Sequence, residues 1–194
     1  DGHLRPFNFD KANALVVLDD AIDVALVDLV IERSSSHAIA LNKVGGIVRD
    51  ITIRGAVAAA IMSVDARGLE ISANRIADCS DNGILVWRST QGADATLVTG
   101  NRIQRIANKS GGTGEYGNGI NVFRAGGVSI TNNKVSDCVF SAIRSNAGSN
   151  LQVTSNTCVN SGETAIYSEF GFEGAVIASN LVDGATNGIS IVNF

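Results

Sequence analysis

Apolar and polar residues alternate along this chain in short bursts, and the bursts recur at a nearly fixed interval. Leu69-Glu-Ile-Ser72 alternates and is broken by Ala73-Asn74; Arg75-Ile-Ala-Asp-Cys79 follows, Ser80-Asp-Asn82 turns, and Gly83-Ile-Leu-Val-Trp87 closes the triplet. Alternation with a period of two over four or five residues predicts half-buried strands. Equivalent isoleucines stand at Ile39, Ile61, Ile84, Ile120, Ile143, Ile166 and Ile189, in steps of 22, 23, 36, 23, 23 and 23 residues. Hairpin turn signals are missing between most of these strands, so stacking equivalent strands of successive repeats is the way they bury an apolar face. The expected fold is all-β: a parallel β-helix with three short strands per coil of about 23 residues and about 7–8 coils. Right-handedness is the expectation for parallel crossovers.

A polar column supports the same register. Two residues before the inward position of the second short strand come Leu29, Ile51, Asn74, Asn101, Asn133, Asn156 and Asn180. The last five predict an asparagine ladder inside a turn, each amide bonding backbone groups and the next amide. Leu29 and Ile51 predict a different bend in the first two full coils. The one long step between isoleucines resolves into two insertions, one around Arg88–Ala95 and one around Ala107–Gly117, both flanking the same strand face. Insertions gathered on one face of a repeat scaffold are where function tends to sit.

Residues 1–194 read as one β-helix domain, with 1–23 an irregular, partial first coil and 24–194 full coils. In the first part Ala14–Leu18 reads as a strand and Asp19-Asp20 as a turn. The opening at Asp1-Gly2-His3 and the stop at Val192-Asn193-Phe194 within a repeat predict a piece of a longer protein, trimmed at both ends. Strand edges at such ends would invite end-to-end self-association.

Composition narrows the partners. A net charge of −4 argues against a general nucleic-acid binder, and no apolar run approaches the roughly 20 residues of a membrane span. Cys79 and Cys138 share a repeat phase two coils apart, about 9.6 Å by strand spacing, too far for a disulfide. They and Cys158 are expected as small buried hydrophobes. No spacing of Asp, Cys or His predicts a metal site, no cofactor is expected, and His37 is expected to cap a turn equivalent to those of Asn82 and Asn118.

With the isoleucines inward, the outward columns of the isoleucine strands become readable. They display Trp87, Phe123, Tyr167 and Phe170 together with Arg88, Arg124, Arg144, Asn121, Asn146 and Glu169; Glu115 and Tyr116 sit on the long loop. Aromatic faces offer flat apolar area, and Arg binds carboxylate or sulfate bidentately. The face over residues 85–170 is thus a candidate groove for a polysaccharide, in particular an acidic one. Substrate-binding candidates are Trp87, Arg88, Glu115, Tyr116, Asn121, Phe123, Arg124, Asn146 and Phe170. Catalytic candidates are Arg144, Tyr167 and Glu169, a base with an electrostatic clamp, which would suit a lyase or an epimerase. A glycoside hydrolase would need two spaced carboxylates, for which only Glu169 and Glu115 are obvious. The competing expectation is a non-catalytic envelope module whose exposed face packs on another protein.

The runs Asn82–Ser89, Ser110-Gly-Gly, Gly117–Gly127 and Tyr167–Ile177 resemble an uncharacterised family of bacterial repeat proteins exported with a twin-arginine signal. That family has a right-handed parallel β-helix of the pectate-lyase-like superfamily. The resemblance runs over most of the chain and implies a periplasmic or secreted protein, with a signal and further coils outside this sequence. It implies no particular activity. The paired aspartates of polygalacturonases, the calcium-binding acidic cluster of pectate lyases and the Asp-Pro-His-Asp of alginate epimerases have no counterpart here, so none of those activities carries over residue by residue.

Overall fold

Twenty strands pair side by side in parallel across residues 13–193, the part of the chain that the computed structural model describes. Residues 1–12, the start of the expected partial coil, and Phe194 lie outside the described residues. Three columns of inward side chains fill the barrel of the solenoid. In the first sheet Ile39, Ile61, Ile84, Ile120, Ile143, Ile166 and Ile189 stand opposite one another in unbroken register, and those from Ile39 to Ile166 are at most 1% exposed. In the second, Val48, Ile71, Val98, Ile130 and Val153 align; in the third, Ile31, Ile53, Ile76, Ile103, Val135 and Cys158. The three columns merge into one apolar core. The fold is the expected parallel β-helix, with about eight coils among the described residues.

The coils differ from the expected pattern at the carboxyl end. Strands Thr157–Glu169 and Leu181–Ile191 each run through the corner between the third and first sheets without a break, so two expected strands become one. A register shift between Ser161 and Thr164 absorbs the bend as a bulge.

The asparagine ladder is present in full. Asn133 Oδ1 accepts from the Asn101 backbone N–H and from Asn101 Nδ2, both at 2.9 Å; Asn133 Nδ2 donates to Val98 O and Asn156 Oδ1, both at 3.0 Å. Asn74, Asn101 and Asn156 repeat this arrangement, and Asn180 Oδ1 accepts both bonds from Asn156 while Asn180 Nδ2 donates to Val153 O. At the ladder's other end the Ile51 N–H donates to Asn74 Oδ1 at 3.0 Å, which is where the column turns apolar.

A second, shorter ladder lies in the turn before the first sheet. The Ala59 N–H donates to His37 Nδ1 at 3.2 Å, the Asn118 N–H to Asn82 Oδ1 at 3.2 Å, and the Ser141 N–H to Asn118 Oδ1 at 3.2 Å. His37 therefore caps its turn by accepting, as an asparagine does elsewhere. Burial is the largest influence on the ring and holds its pKa below the ordinary histidine value of 6.5. The unfolded chain then binds the extra proton first. This contribution to stability is complete above about pH 6.5 and is lost as pH falls below it. Replacing His37 with Asn keeps the acceptor, so the variant's stability curve should lie flatter between about pH 6.5 and 5 than the wild type's. Parallel curves from urea titrations over that range would overturn this assignment.

The remaining expectations about small features resolve simply. Asp19 closes the strand Ala14–Asp19 and accepts from Asn42 Nδ2 at 2.7 Å, and the turn begins at Asp20, which sits in a left-handed bend (φ 49°) and pairs with Arg67 at 2.7 Å. Cys79 and Cys138 flank Ile106 from opposite coils; all three thiols are free and buried, which pushes Cys79 up to about 11 and Cys138 and Cys158 up to about 12. No helix among the described residues is long and apolar enough to cross a membrane.

Candidate functional site

Both insertions flank first-sheet strands, one after Trp87 and the other before Asn118. The first is a bulge: five residue steps separate Trp87 from Gly92 where two separate the paired Phe123 from Ala125, so the backbone swells outward between two paired coils. The second is a docked loop. Its footing is Asp81, whose carboxylate accepts from the Ser110 N–H (2.9 Å) and Ser110 Oγ (2.8 Å), while the Asp81 carbonyl accepts from the Gly117 N–H. Asn118 Nδ2 donates to Gly114 O (2.9 Å), and Asn82 Nδ2 and Asn121 Nδ2 both donate to Glu115 O (3.2 and 3.1 Å). Three asparagines of the underlying strands thus hold the loop by its backbone.

That loop changes what the outward columns present. Register is as expected: Leu85, Asn121, Arg144 and Tyr167 align, as do Trp87, Phe123, Asn146 and Glu169. Exposure is not. Asn121, Phe123, Arg144 and Glu169 were expected on open display and are buried, at 7%, 6%, 7% and 2% exposed. Gly114 lies so close to the Arg144 guanidinium that any Cβ there would collide with it, and its φ of 135° suits glycine alone. Glu115 does not reach the Arg144 cluster by any hydrogen bond; its carboxylate accepts from the Thr113 N–H at 2.9 Å, and its side chain is turned into its own loop.

Beneath the loop Arg144 is paired with two carboxylates. Its Nε donates to Glu169 Oε1 at 2.7 Å and Nη2 contacts the same oxygen; Nη1 reaches Glu163 at 3.3 Å. The Arg144 guanidinium also lies 5.0 Å from the Tyr167 ring centroid, and Asn146 Nδ2 approaches Glu169 Oε1 at 3.5 Å. The sequence reading brought Arg144, Tyr167 and Glu169 together correctly but missed Glu163. Glu163 falls in the bulged corner of a continuous strand, where the period of two no longer says which way a side chain points. Two carboxylates on one guanidinium leave no net positive charge there for a substrate anion. Desolvation, then the negative charge of Glu169, raises the Tyr167 phenol above its ordinary pKa, the wrong direction for a phenolate base near neutral pH.

What stays accessible is the corner between the first and second sheets. Trp87 is half-buried and packs on Phe123, ring centroids 4.4 Å apart and tilted by 41°. Arg124, exposed and in a left-handed bend, lies 4.7 Å from the Phe123 ring centroid and donates to Ser89 O at 3.3 Å. Asn146 and Tyr167 are half-buried, Phe170 is 48% exposed, and Tyr116 on the loop is 38% exposed. Arg88 turns the other way, toward Thr90 O (3.3 Å) and Asp94 (3.9 Å), and lines an open cleft of about 330 Å³ with Lys43, Asp65 and Arg67. Lys43, Asp65, Arg67 and Asp94 are not among the candidates the sequence offered. A second cleft, about 340 Å³, lies at Asn13–Val17 and Ser34–Ser36 and has no titratable side chain in its described lining. Among the described residues, no group of three His, Cys, Asp or Glu side chains is placed to hold a metal ion.

Known proteins share this architecture. The sequence model of the family described as "Right handed beta helix region" matches residues 31–194. Among solved structures, the A-module of the Azotobacter vinelandii mannuronan C-5 epimerase AlgE6 superposes with a TM-score of 0.57 at 14% identity, over 86% of this chain and 55% of that one. The A-module of the epimerase AlgE4 from the same organism gives 0.49 at 16% identity, over 93% of this chain and 55% of that one. The chain spans about half the length of these structures, and at 14% identity the likeness to the AlgE6 module is one of fold. No match was found among curated proteins.

Proposed function

Because the chain belongs to the right-handed β-helix family, we propose that it binds a polysaccharide, one carrying anionic groups, along the corner of the first sheet over residues 85–170. The observation that carries this is the ridge formed by the half-buried Trp87 ring and the exposed Arg124 guanidinium, both packed on the buried ring of Phe123. Coils repeat about every 4.8 Å, close to the length of one sugar ring, so a glycan laid along the axis meets a new coil with each residue. Aromatic faces take the apolar faces of sugar rings, and Arg124 offers donors to their oxygens. Tyr167, Asn146 and Phe170, on the following coils, extend the same surface. In this reading Arg144, Glu163 and Glu169 are the buried brace that holds the loop and ridge in place, and the protein acts by binding. The fold neighbour acts on mannuronan, which favours a glycan partner without specifying a reaction. An exported setting, periplasmic or extracellular, is where such a partner would be met.

The test is a titration of tryptophan fluorescence, since Trp87 is the sole tryptophan. Polygalacturonate, alginate, chondroitin sulfate and neutral xylan would serve as the panel. A saturable change is expected with at least one acidic polymer. Trp87→Ala, followed by calorimetry instead of fluorescence, should weaken that binding about tenfold, the loss of one aromatic stacking contact. Arg124→Ala should weaken it several-fold, and both variants should keep a cooperative thermal transition. A flat panel with folded protein would favour the other reading, a surface that packs on an envelope protein.

A further inference from the structure

The bulge after Trp87 builds something the ridge alone does not explain. Ser89 anchors it to the preceding coil: its N–H and Oγ donate to the two carboxylate oxygens of Asp65 at 3.0 and 2.7 Å. This closes one wall of the cleft and occupies the one carboxylate that lines it. The other charged lining residues are cations. Lys43 makes no ion pair among the described residues; Arg67 is held at its rim by the exposed Asp20, 2.7 Å away. Arg88 is backed from inside the fold. Asp94, whose side chain is fully buried, holds Thr96 through Oδ1 and places Oδ2, which accepts no hydrogen bond among the described residues, 3.9 Å from Arg88 Nη1.

A buried carboxylate with an unsatisfied oxygen is costly, and it is tolerated where it does something for a neighbour. Here the neighbour is a half-buried arginine that lines a cleft together with Lys43, which makes no ion pair among the described residues. Burial pushes the Asp94 carboxyl above its ordinary value, and the hydrogen bonds from Thr96, then the charge of Arg88, oppose that rise.

From this arrangement we infer that the cleft between Lys43, Arg67 and Arg88 is a subsite for a single anionic group of the bound glycan, a carboxylate or a sulfate ester, with Asp94 as the residue that positions Arg88. The inference rests on the polysaccharide-binding reading and names the chemistry of its ligand. Arg88 follows Trp87 directly in the chain, so the anion sits beside the first aromatic of the ridge. A planar guanidinium can grip two oxygens of either group, and the lysine supplies a movable point charge. No bond is made or broken in this step.

The experiment compares polymers that differ only in charge. Polygalacturonate is set against its full methyl ester, and dextran sulfate against dextran, with Trp87 fluorescence as the readout. The wild type is expected to prefer the charged member of one pair about tenfold or more, the order of a charge-assisted hydrogen-bonded pair. Preference in the first pair identifies the carboxylate, and preference in the second the sulfate. Arg88→Gln and Lys43→Gln should bring charged and neutral members together by weakening only the charged one. Asp94→Asn, which keeps the bond to Thr96, should lower the same ratio while leaving neutral-polymer binding unchanged, a readout a purely structural aspartate would not move. Equal binding of charged and neutral members by the wild type, or an undiminished ratio in Arg88→Gln, would overturn the subsite and leave the ridge reading standing. Absence of a saturable response to any of the four polymers would overturn both.

Discussion

Replacing Arg144 with alanine should cost about 3–5 kcal/mol of stability, more than any single change on the sugar-facing ridge. The reason is what remains. Glu169 is 3% exposed at its side chain and would be left with Asn146 and the Tyr167 phenol beside it but no cation, while Glu163 would lose its partner at the rim. Removing one member of a buried pair leaves an uncompensated ion; removing both leaves a cavity, which is cheaper. The double replacement Arg144→Met with Glu169→Leu should therefore recover much of the loss, a non-additivity measurable in a double-mutant cycle by urea denaturation. The loop should respond as well. Gly114 rests on the Arg144 guanidinium, so Arg144→Ala should speed proteolytic cleavage within residues 107–117 before the β-helix itself opens. A cost below about 1 kcal/mol, with an unchanged cleavage rate, would mean the guanidinium carries no structural burden and would return Arg144 to the list of catalytic candidates.

Asn133→Ala should cost a comparable amount, about 4 kcal/mol, for a different reason. Asn133 is 1% exposed, and its side chain takes part in four hydrogen bonds, three to the coil before it (two from Asn101, one to Val98 O) and one to Asn156 in the next. Alanine leaves the Asn101 N–H, its side-chain amide and the Val98 carbonyl without partners in a site closed to water, each costing roughly 1–3 kcal/mol before relaxation. Asn180 tests the mechanism. It makes the same kinds of bonds from a half-buried position in the last ladder coil, where water can substitute. Asn180→Ala should cost less than half as much. Equal losses at the two positions would show that the amides contribute by shape and not by hydrogen bonding.

These effects divide according to what a linear pattern can carry. The ladder was legible because its chemistry repeats: one residue type at one phase, coil after coil, has one geometric meaning in a stacked solenoid. The inward isoleucines and the locations of both insertions were legible for the same reason. So was the alignment of Leu85, Asn121, Arg144 and Tyr167, since a period of two sends every second side chain outward. The capping role of His37 followed from its phase.

Exposure did not follow. Alternation distinguishes inside from outside of the barrel, and says nothing of a loop that returns over the outer face. Asn82, Asn118 and Asn121 bind that loop by its carbonyls, so Arg144 and Glu169 became a buried brace where a displayed clamp was expected. The merging of strands at 157–169 likewise put Glu163 beside Arg144 through a bulge that breaks the period. The cleft of Lys43, Arg67 and Arg88 draws on three coils and one irregular insertion, and its buried Asp94 has meaning only once Arg88 is seen to turn back upon it. The sequence by itself determined the solenoid, its register and its ladders, because those depend on local periodicity summed over many coils. Which outward side chains meet solvent, which charges cancel and where a cleft opens were decided by the tertiary structure, because each depends on a single non-repeating contact between segments distant in the chain.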